Sequence, residues 1–196
     1  MPPEERAERI FDALDAVFAR RGLERTTMTA IAAEAGMSKR TLYGLFADRD
    51  ELLGAYIARI RGEFVRELQE RDRHLPLEGR LRRLLAPCPR SAGSDLPAAV
   101  LRLALSGTET GPGSARARLS RLRRQDRRLI RIELDRAVAR GEARIPDTAA
   151  AAAVLEGMIR PSIADLLLDP AAVPDADAIQ ARFETGLSMF LAAVGA

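Results

Sequence analysis

Residues Thr26 to Leu53 read TTMTAIAAEAGMSKRTLYGLFADRDELL, and the rest of the chain is best read outward from them. Thr27 has the side chain of a helix N-cap, opening a short helix from about Met28 to Ala35. Gly36-Met37-Ser38 predicts a tight turn, with glycine at the position that needs a positive φ. Ser38 then caps a third short helix, roughly Lys39 to Phe46. Two short helices that cross at about 90–120° make a helix-turn-helix. Such a crossing needs a small residue in the first helix, supplied by Ala32, and apolar residues to lock both helices down. Ile31, Met37, Leu42 and Leu45 are that locking set, with Met28 and Phe46 also assigned to the core. Ser38, Lys39, Arg40 and Thr41 are left at the start of the second helix, the end from which side chains reach major-groove base edges. Arginine can read guanine through two hydrogen bonds, and either cation also neutralises phosphate.

The flanks are helical too. Ile10, Leu14, Val17 and Phe18 recur at i, i+4, i+7 and i+8 over Glu4 to Arg21, one stripe of an amphipathic helix that Gly22 stops. Asp48-Arg49-Asp50-Glu51 reads as a capping box. It opens a long helix that carries Leu52, Leu53, Tyr56, Ile57, Ile60 and Phe64 inward. Further helices are expected at Leu77–Leu85, Asp95–Ser106, Ser114–Arg140, Asp147–Leu168 and Asp175–Val194. Between them lie breaks at 87–93, at 107–113, at Gly141 and at 169–174, and Pro161 should kink the helix it falls in. The expected fold is all-α with about nine helices and a three-helix head. Residues 1–48 form the head and residues 49–196 a larger helical domain.

Composition narrows the function. One histidine and one cysteine, Cys88, cannot assemble a metal cluster or an internal disulfide. There is no glycine-rich phosphate loop, so neither an enzyme nor a cofactor is expected. The opening Met-Pro-Pro-Glu-Glu-Arg is unlike a signal sequence, and no apolar run approaches the roughly 20 residues that span a bilayer. The expected compartment is the cytoplasm. Net charge is +3, unevenly spread. Residues 1–55 carry 8 basic and 10 acidic side chains, residues 56–140 carry 20 and 10, and the last 56 carry 3 and 8. A DNA-reading head with a negative balance must gather its cations on one face.

The quoted stretch, with Arg20-Arg21-Gly22 before it, resembles the signature of the TetR family of transcriptional regulators, nearly without gaps over about 50 residues from Ile10. The resemblance implies roles for matching positions. Thr27 would cap the second helix and touch phosphate, and Thr29 sits where a groove or phosphate contact is sometimes made. Lys39, Arg40 and Thr41, after Ser38, would begin the base-reading helix. Tyr43 would place its hydroxyl on a phosphate, and Arg49 would anchor the fourth helix on another. Two departures stand out: Arg40 replaces a common glycine, and Gly44-Leu45 replace aromatic or histidine residues, which shifts weight to Lys39, Arg40 and Arg49. The family further implies a homodimer on a near-palindromic double-stranded DNA operator, with a small-molecule effector bound in the larger domain. The default is a repressor released by that effector.

Dimer contacts are expected from the last two long helices, at Val154, Leu155, Met158, Phe183, Leu187 and Phe190, with Ala149–Ala153 permitting close approach. Part of those faces must also serve the protomer's own core. The cluster of arginines from Arg116 to Arg131 reads mainly as a solvated outer face, because Leu119, Leu122, Ile130, Leu134 and Val138 draw a core stripe through the same helix. An acidic ligand or partner, or DNA, is the other use of that cluster. The rival to a DNA regulator is a helical dimer that acts through protein partners, its head inactive toward DNA.

Overall fold

The computed structural model describes residues 2–22, 25–87, 115–161 and 175–195; the side chains of 60–64, 115, 116 and 118 are not among them. Every regular element among the described residues is helical: α1 (Pro3–Arg21), α2 (Met28–Glu34), α3 (Lys39–Tyr43), α4 (Arg49–Phe64), a 3-10 turn (Glu70–His74), α5 (Leu77–Leu85), α6 (Ala115–Ala139), α7 (Thr148–Ile159) and α8 (Ala176–Val194). The expected all-α class stands, with eight α-helices and one 3-10 turn among the described residues. The expected helix at Asp95–Ser106, Cys88, the breaks at 88–93 and 107–113, and 169–174 lie outside the described residues. The chain divides into two compact units, and the division falls inside α4, between Arg59 and Ile60, and again inside α6, between Leu119 and Ser120.

In the first unit, α1 buries Ile10, Phe11, Ala13, Leu14 and Val17. Glu4 and Glu5 lie in its first turn and Arg20 and Arg21 in its last, each sign matching the helix dipole. Gly22 ends it at φ 71°, a conformation that costs glycine little. The Phe11 ring lies 5.9 Å from both Phe46 and Tyr56, which ties α1 to the segment after α3 and to α4.

In the second unit, Leu77, Leu81, Leu84 and Leu85 of α5 meet Ile130, Leu134 and Ala137 of α6, with Leu155 and Ile159 of α7 and Phe183, Leu187, Phe190 and Leu191 of α8. The α6 stripe runs 130–134–137, so Val138, expected in it, is instead exposed, while Leu119 and Leu122 are only partly covered. Asp147 caps α7 by accepting from the backbone of Ala149 and Ala150, and Asp175 caps α8 by accepting from Ala178. The helix expected to pass through Pro161 with a kink stops at Ile159 instead. Proline removes a backbone donor and biases the preceding residue away from helix, and Arg160 is extended. α7 and α8 approach closely at Gly186, where a Cβ would stand 2.9 Å from the Met158 backbone.

One arginine organises the polar part of this unit. Arg80 is fully buried. Its Nε donates to Glu133 Oε2 (2.9 Å) and its Nη2 to Glu142 Oε2 (2.8 Å), while Nη1 donates to the Leu75 carbonyl. A guanidinium can be buried only when its donors are taken up in this way. The Arg80 hydrogen bond holds the Glu142 carboxyl below the usual carboxylate range. Among the described residues no helix is long and apolar enough to cross a membrane.

Candidate nucleic-acid interface

The reading head is built from caps and a lock. Thr27 Oγ1 accepts from the Ala30 amide (3.2 Å) and starts α2. Gly36 takes φ 63° in the turn. Ser38 Oγ accepts from the Thr41 amide (3.1 Å) and meets the Thr41 hydroxyl at 2.9 Å, so the α3 cap is shared by two side chains. Ile31, Ala32, Ala35 and Leu42 are buried, which fixes α2 against α3. Met37 and Leu45, placed in the same lock from sequence, are only half-buried. The reason is that α3 ends at Tyr43 rather than Phe46, so Leu45 falls in a turn and Phe46 takes the inward place. Asp48 Oδ1 accepts from the Glu51 amide (2.7 Å), while Glu51 reaches back to the Ala47 amide (2.6 Å) and starts α4.

Of the expected contact residues, Thr27, Thr29, Ser38, Lys39, Arg40 and Tyr43 are exposed. Tyr43 is 50% exposed although it follows a fully buried leucine, so its ring is free to serve as a contact. Thr41 and Arg49 are half-buried, the former through its cap bond. Leu42 faces inward, so Lys39 and Tyr43, one helical turn apart, share the outward side of α3.

The negative balance of the head resolves locally. Glu8, Asp12 and Asp15 of α1 gather on one guanidinium, Arg59, at 3.2, 3.5 and 3.4 Å. Glu34 pairs with Arg20. That pairing raises Arg20 and lowers Glu34, chiefly through the hydrogen bond between them. Asp48 and Glu51 are spent on the α4 cap. Between residues 25 and 46 the acidic side chain is Glu34 alone, against Arg25, Lys39 and Arg40. The cations therefore stand on α3 without acidic neighbours in sequence, while Glu8, Asp12, Asp15, Glu34, Asp48 and Glu51 are taken up by internal bonds.

Two positioning residues were not singled out by the sequence reading. Arg9 Nη2 donates to the Ala35 carbonyl (2.8 Å) and lies 3.5 Å from where a Cβ on Gly36 would be, so it fixes the turn before α3. Arg59 lies 5.3 Å over the rings of both Phe11 and Tyr56, and the Tyr56 hydroxyl donates to Asp15 (2.6 Å). The spacing of Glu8, Asp12 and Asp15 at i, i+4 and i+7 was the available signal that a cation must meet them.

Comparison with known families agrees with this geometry. Residues 10–56 match bacterial regulatory proteins of the tetR family, and residues 79–196, more than half the chain, match the AefR-like transcriptional repressor C-terminal domain. The chain belongs to the TetR family. It is thus a DNA-binding transcriptional regulator. An HTH-type transcriptional regulator of Haemophilus influenzae is 38% identical over 64 residues, which are 33% of this chain and 34% of that protein. The match thus spans about a third of the curated relative's length. A TetR transcriptional regulator from Agrobacterium tumefaciens has a TM-score of 0.62 at 25% identity, covering 99% of this chain and 95% of that one. A TetR family regulator from Pseudomonas syringae pv. tomato has a TM-score of 0.58 at 24% identity, covering 96% and 95%. Arg9 and Arg59 flank the TetR head match on either side.

Four of the six residues expected at a dimer contact of this TetR regulator are core residues of the chain itself. Leu155, Phe183, Leu187 and Phe190 are buried where α7 packs on α8. Val154 is exposed and Met158 partly so, and Met189 joins them as an exposed apolar residue of α8. The sequence pattern marked both helices as apolar. It could not say which side of each is taken up within the protomer.

Proposed function

We propose that the protein is a repressor that binds a near-palindromic operator as a homodimer and is released by a small-molecule effector. The observation that carries this reading is the locked, capped α3 with Ser38, Lys39, Arg40 and Tyr43 presented outward and the nearby carboxylates consumed internally. Arg40 and Lys39 read base edges or neutralise phosphate; Thr27, Thr29, Thr41, Tyr43 and Arg49 position the head on the backbone. A single helix-turn-helix covers few base pairs, so two-fold duplication supplies specificity. Exposed Val154 and Met189, with partly exposed Met158, form the apolar centre of the dimer surface. Residues 1–48 act as the DNA-binding domain and residues 49–196 as the effector and dimerisation domain. The match to a repressor's C-terminal domain supports the sign of regulation. The protein works in the cytoplasm, where its operator is, and it catalyses no reaction.

The effector acts by binding the operator-incompetent state more tightly, and the coupling is reciprocal: operator DNA weakens effector binding by the same factor. The test is binding to the DNA upstream of the protein's own coding region at two salt concentrations, with Arg40→Ala alongside. Specific binding that falls steeply with salt and weakens in the variant is expected. No specific binding against a genome-wide DNA pool would overturn the reading and favour a helical dimer acting through protein partners.

A further inference from the structure

The arginine-rich half of α6 contains more than a solvated face. Glu156 of α7 is 1% exposed, as is Asp126 of α6. Three guanidiniums close over them. Arg123 Nε lies 3.3 Å from Glu156 Oε1, Arg127 Nε donates to Glu156 Oε2 (2.6 Å), and Arg160 places Nη1 3.8 Å from Glu156 and Nη2 3.1 Å from Asp126. The cluster holds three cations and two anions.

We infer that Arg123, Arg127 and Arg160 form a binding site for the oxyanion group, carboxylate or phosphate, of a small acidic ligand. Three features carry this. First, Arg123 and Arg127 both engage Glu156 through Nε, so the forked Nη edges are not spent on that carboxylate. Both guanidiniums stay about two-fifths exposed, within reach of solutes. One helical turn apart, they lie on the same side of α6, and two guanidiniums so placed can share a planar or tetrahedral oxyanion. Second, Arg160 Nη2 is buried and lacks an aligned hydrogen-bond acceptor, despite its distance to Asp126. That guanidinium is charge-paired but not fully hydrogen-bonded, so it adds positive charge beside the Arg123–Arg127 pair. Third, the surrounding helix is strongly basic: Arg121, Arg124, Arg128 and Arg131 are exposed beside the cluster, with Asp135 as their exposed acidic neighbour on α6. A potential of one sign concentrates anions at the site. The buried Glu156 and Asp126 act as the fixed frame that aims the guanidiniums.

This rests on the effector-responsive reading above and names the chemistry of the effector. The test uses the full chain without DNA, so its failure and that of the regulator reading are separable. Inorganic phosphate and, separately, acetate are titrated calorimetrically, with ionic strength held by sodium chloride. Wild-type protein is expected to bind at least one of them, and whichever binds more tightly identifies the group as phosphate or carboxylate. Arg123→Gln and Arg127→Gln should each weaken binding about tenfold or more. Arg127→Lys, which keeps the charge and the fold but not the fork, should fall between. Arg128→Gln, an exposed neighbour, should leave affinity unchanged. No binding of either anion by folded wild-type protein would overturn the proposal, as would equal affinity in Arg127→Gln and Arg128→Gln.

Discussion

The head and the middle of the chain carry opposite charge balances, and in the proposed function the one with the unfavourable balance reads DNA. Residues 1–55 have more acids than bases, whereas residues 56–140 have twice as many bases as acids. A charge count alone would send DNA to α6. In the proposed function, placement outweighs that count. In the head, carboxylates are drawn onto Arg59 and Arg20 or into helix caps, leaving Lys39 and Arg40 outward. In the second unit, arginines turn toward carboxylates: Arg80 to Glu133 and Glu142, and Arg82 to Glu184. The number of charges matters less than which of them have been spent.

The comparison can be broken first at Arg80. Replacing it with alanine strands two carboxylates that it holds, and should cost the second unit about 3–5 kcal/mol. Urea denaturation followed by circular dichroism measures this; a loss under about 1 kcal/mol would show that the buried network is not what holds α5 to α6. Next in size is Arg40→Ala. It should lower specific operator affinity by about 1–3 kcal/mol while leaving thermal stability unchanged, because the side chain is exposed. Ser38→Ala should cost about 1 kcal/mol of stability through the lost cap, and it should weaken DNA binding further by fraying the start of α3.

A smaller effect sharpens the contrast by pH. The Glu142 carboxyl titrates below its unfolded value because Arg80 holds its charged form. Its contribution is complete above the unfolded value and is lost as pH falls through the lower, folded one. Denaturation midpoints on the acid side should therefore fall less steeply in Glu142→Gln than in the wild type. Parallel pH profiles would rule out this linkage.

The sequence made local features readable. Caps at Thr27 and Ser38 are set within three residues of themselves, and the turn at Gly36 follows from its neighbours. Long-range partners were hidden. Arg80 meets acids 53 and 62 residues away, and an arginine in an amphipathic helix is ordinarily an exposed one. The 3-10 turn at Glu70–His74 is held by polar bonds, with Asp72 accepting from the Gln69 amide, so it leaves no apolar period to find. In the head the match was close, and it failed mainly where α3 ended early and moved Leu45 out of the core. Four of the residues expected at the dimer contact are buried within the protomer, since periodicity reports that a face is buried and not by which molecule.

The most direct test of the central claim compares two charge-removing variants on the same operator fragment across a salt series. One is Lys39→Ala with Arg40→Ala; the other is Arg124→Gln with Arg128→Gln. The first pair should lower affinity steeply and make the dependence on salt shallower by about 1 for each lost phosphate contact. The second should follow the wild-type line. Loss of affinity in the second pair with retention in the first would contradict the account and place DNA on α6.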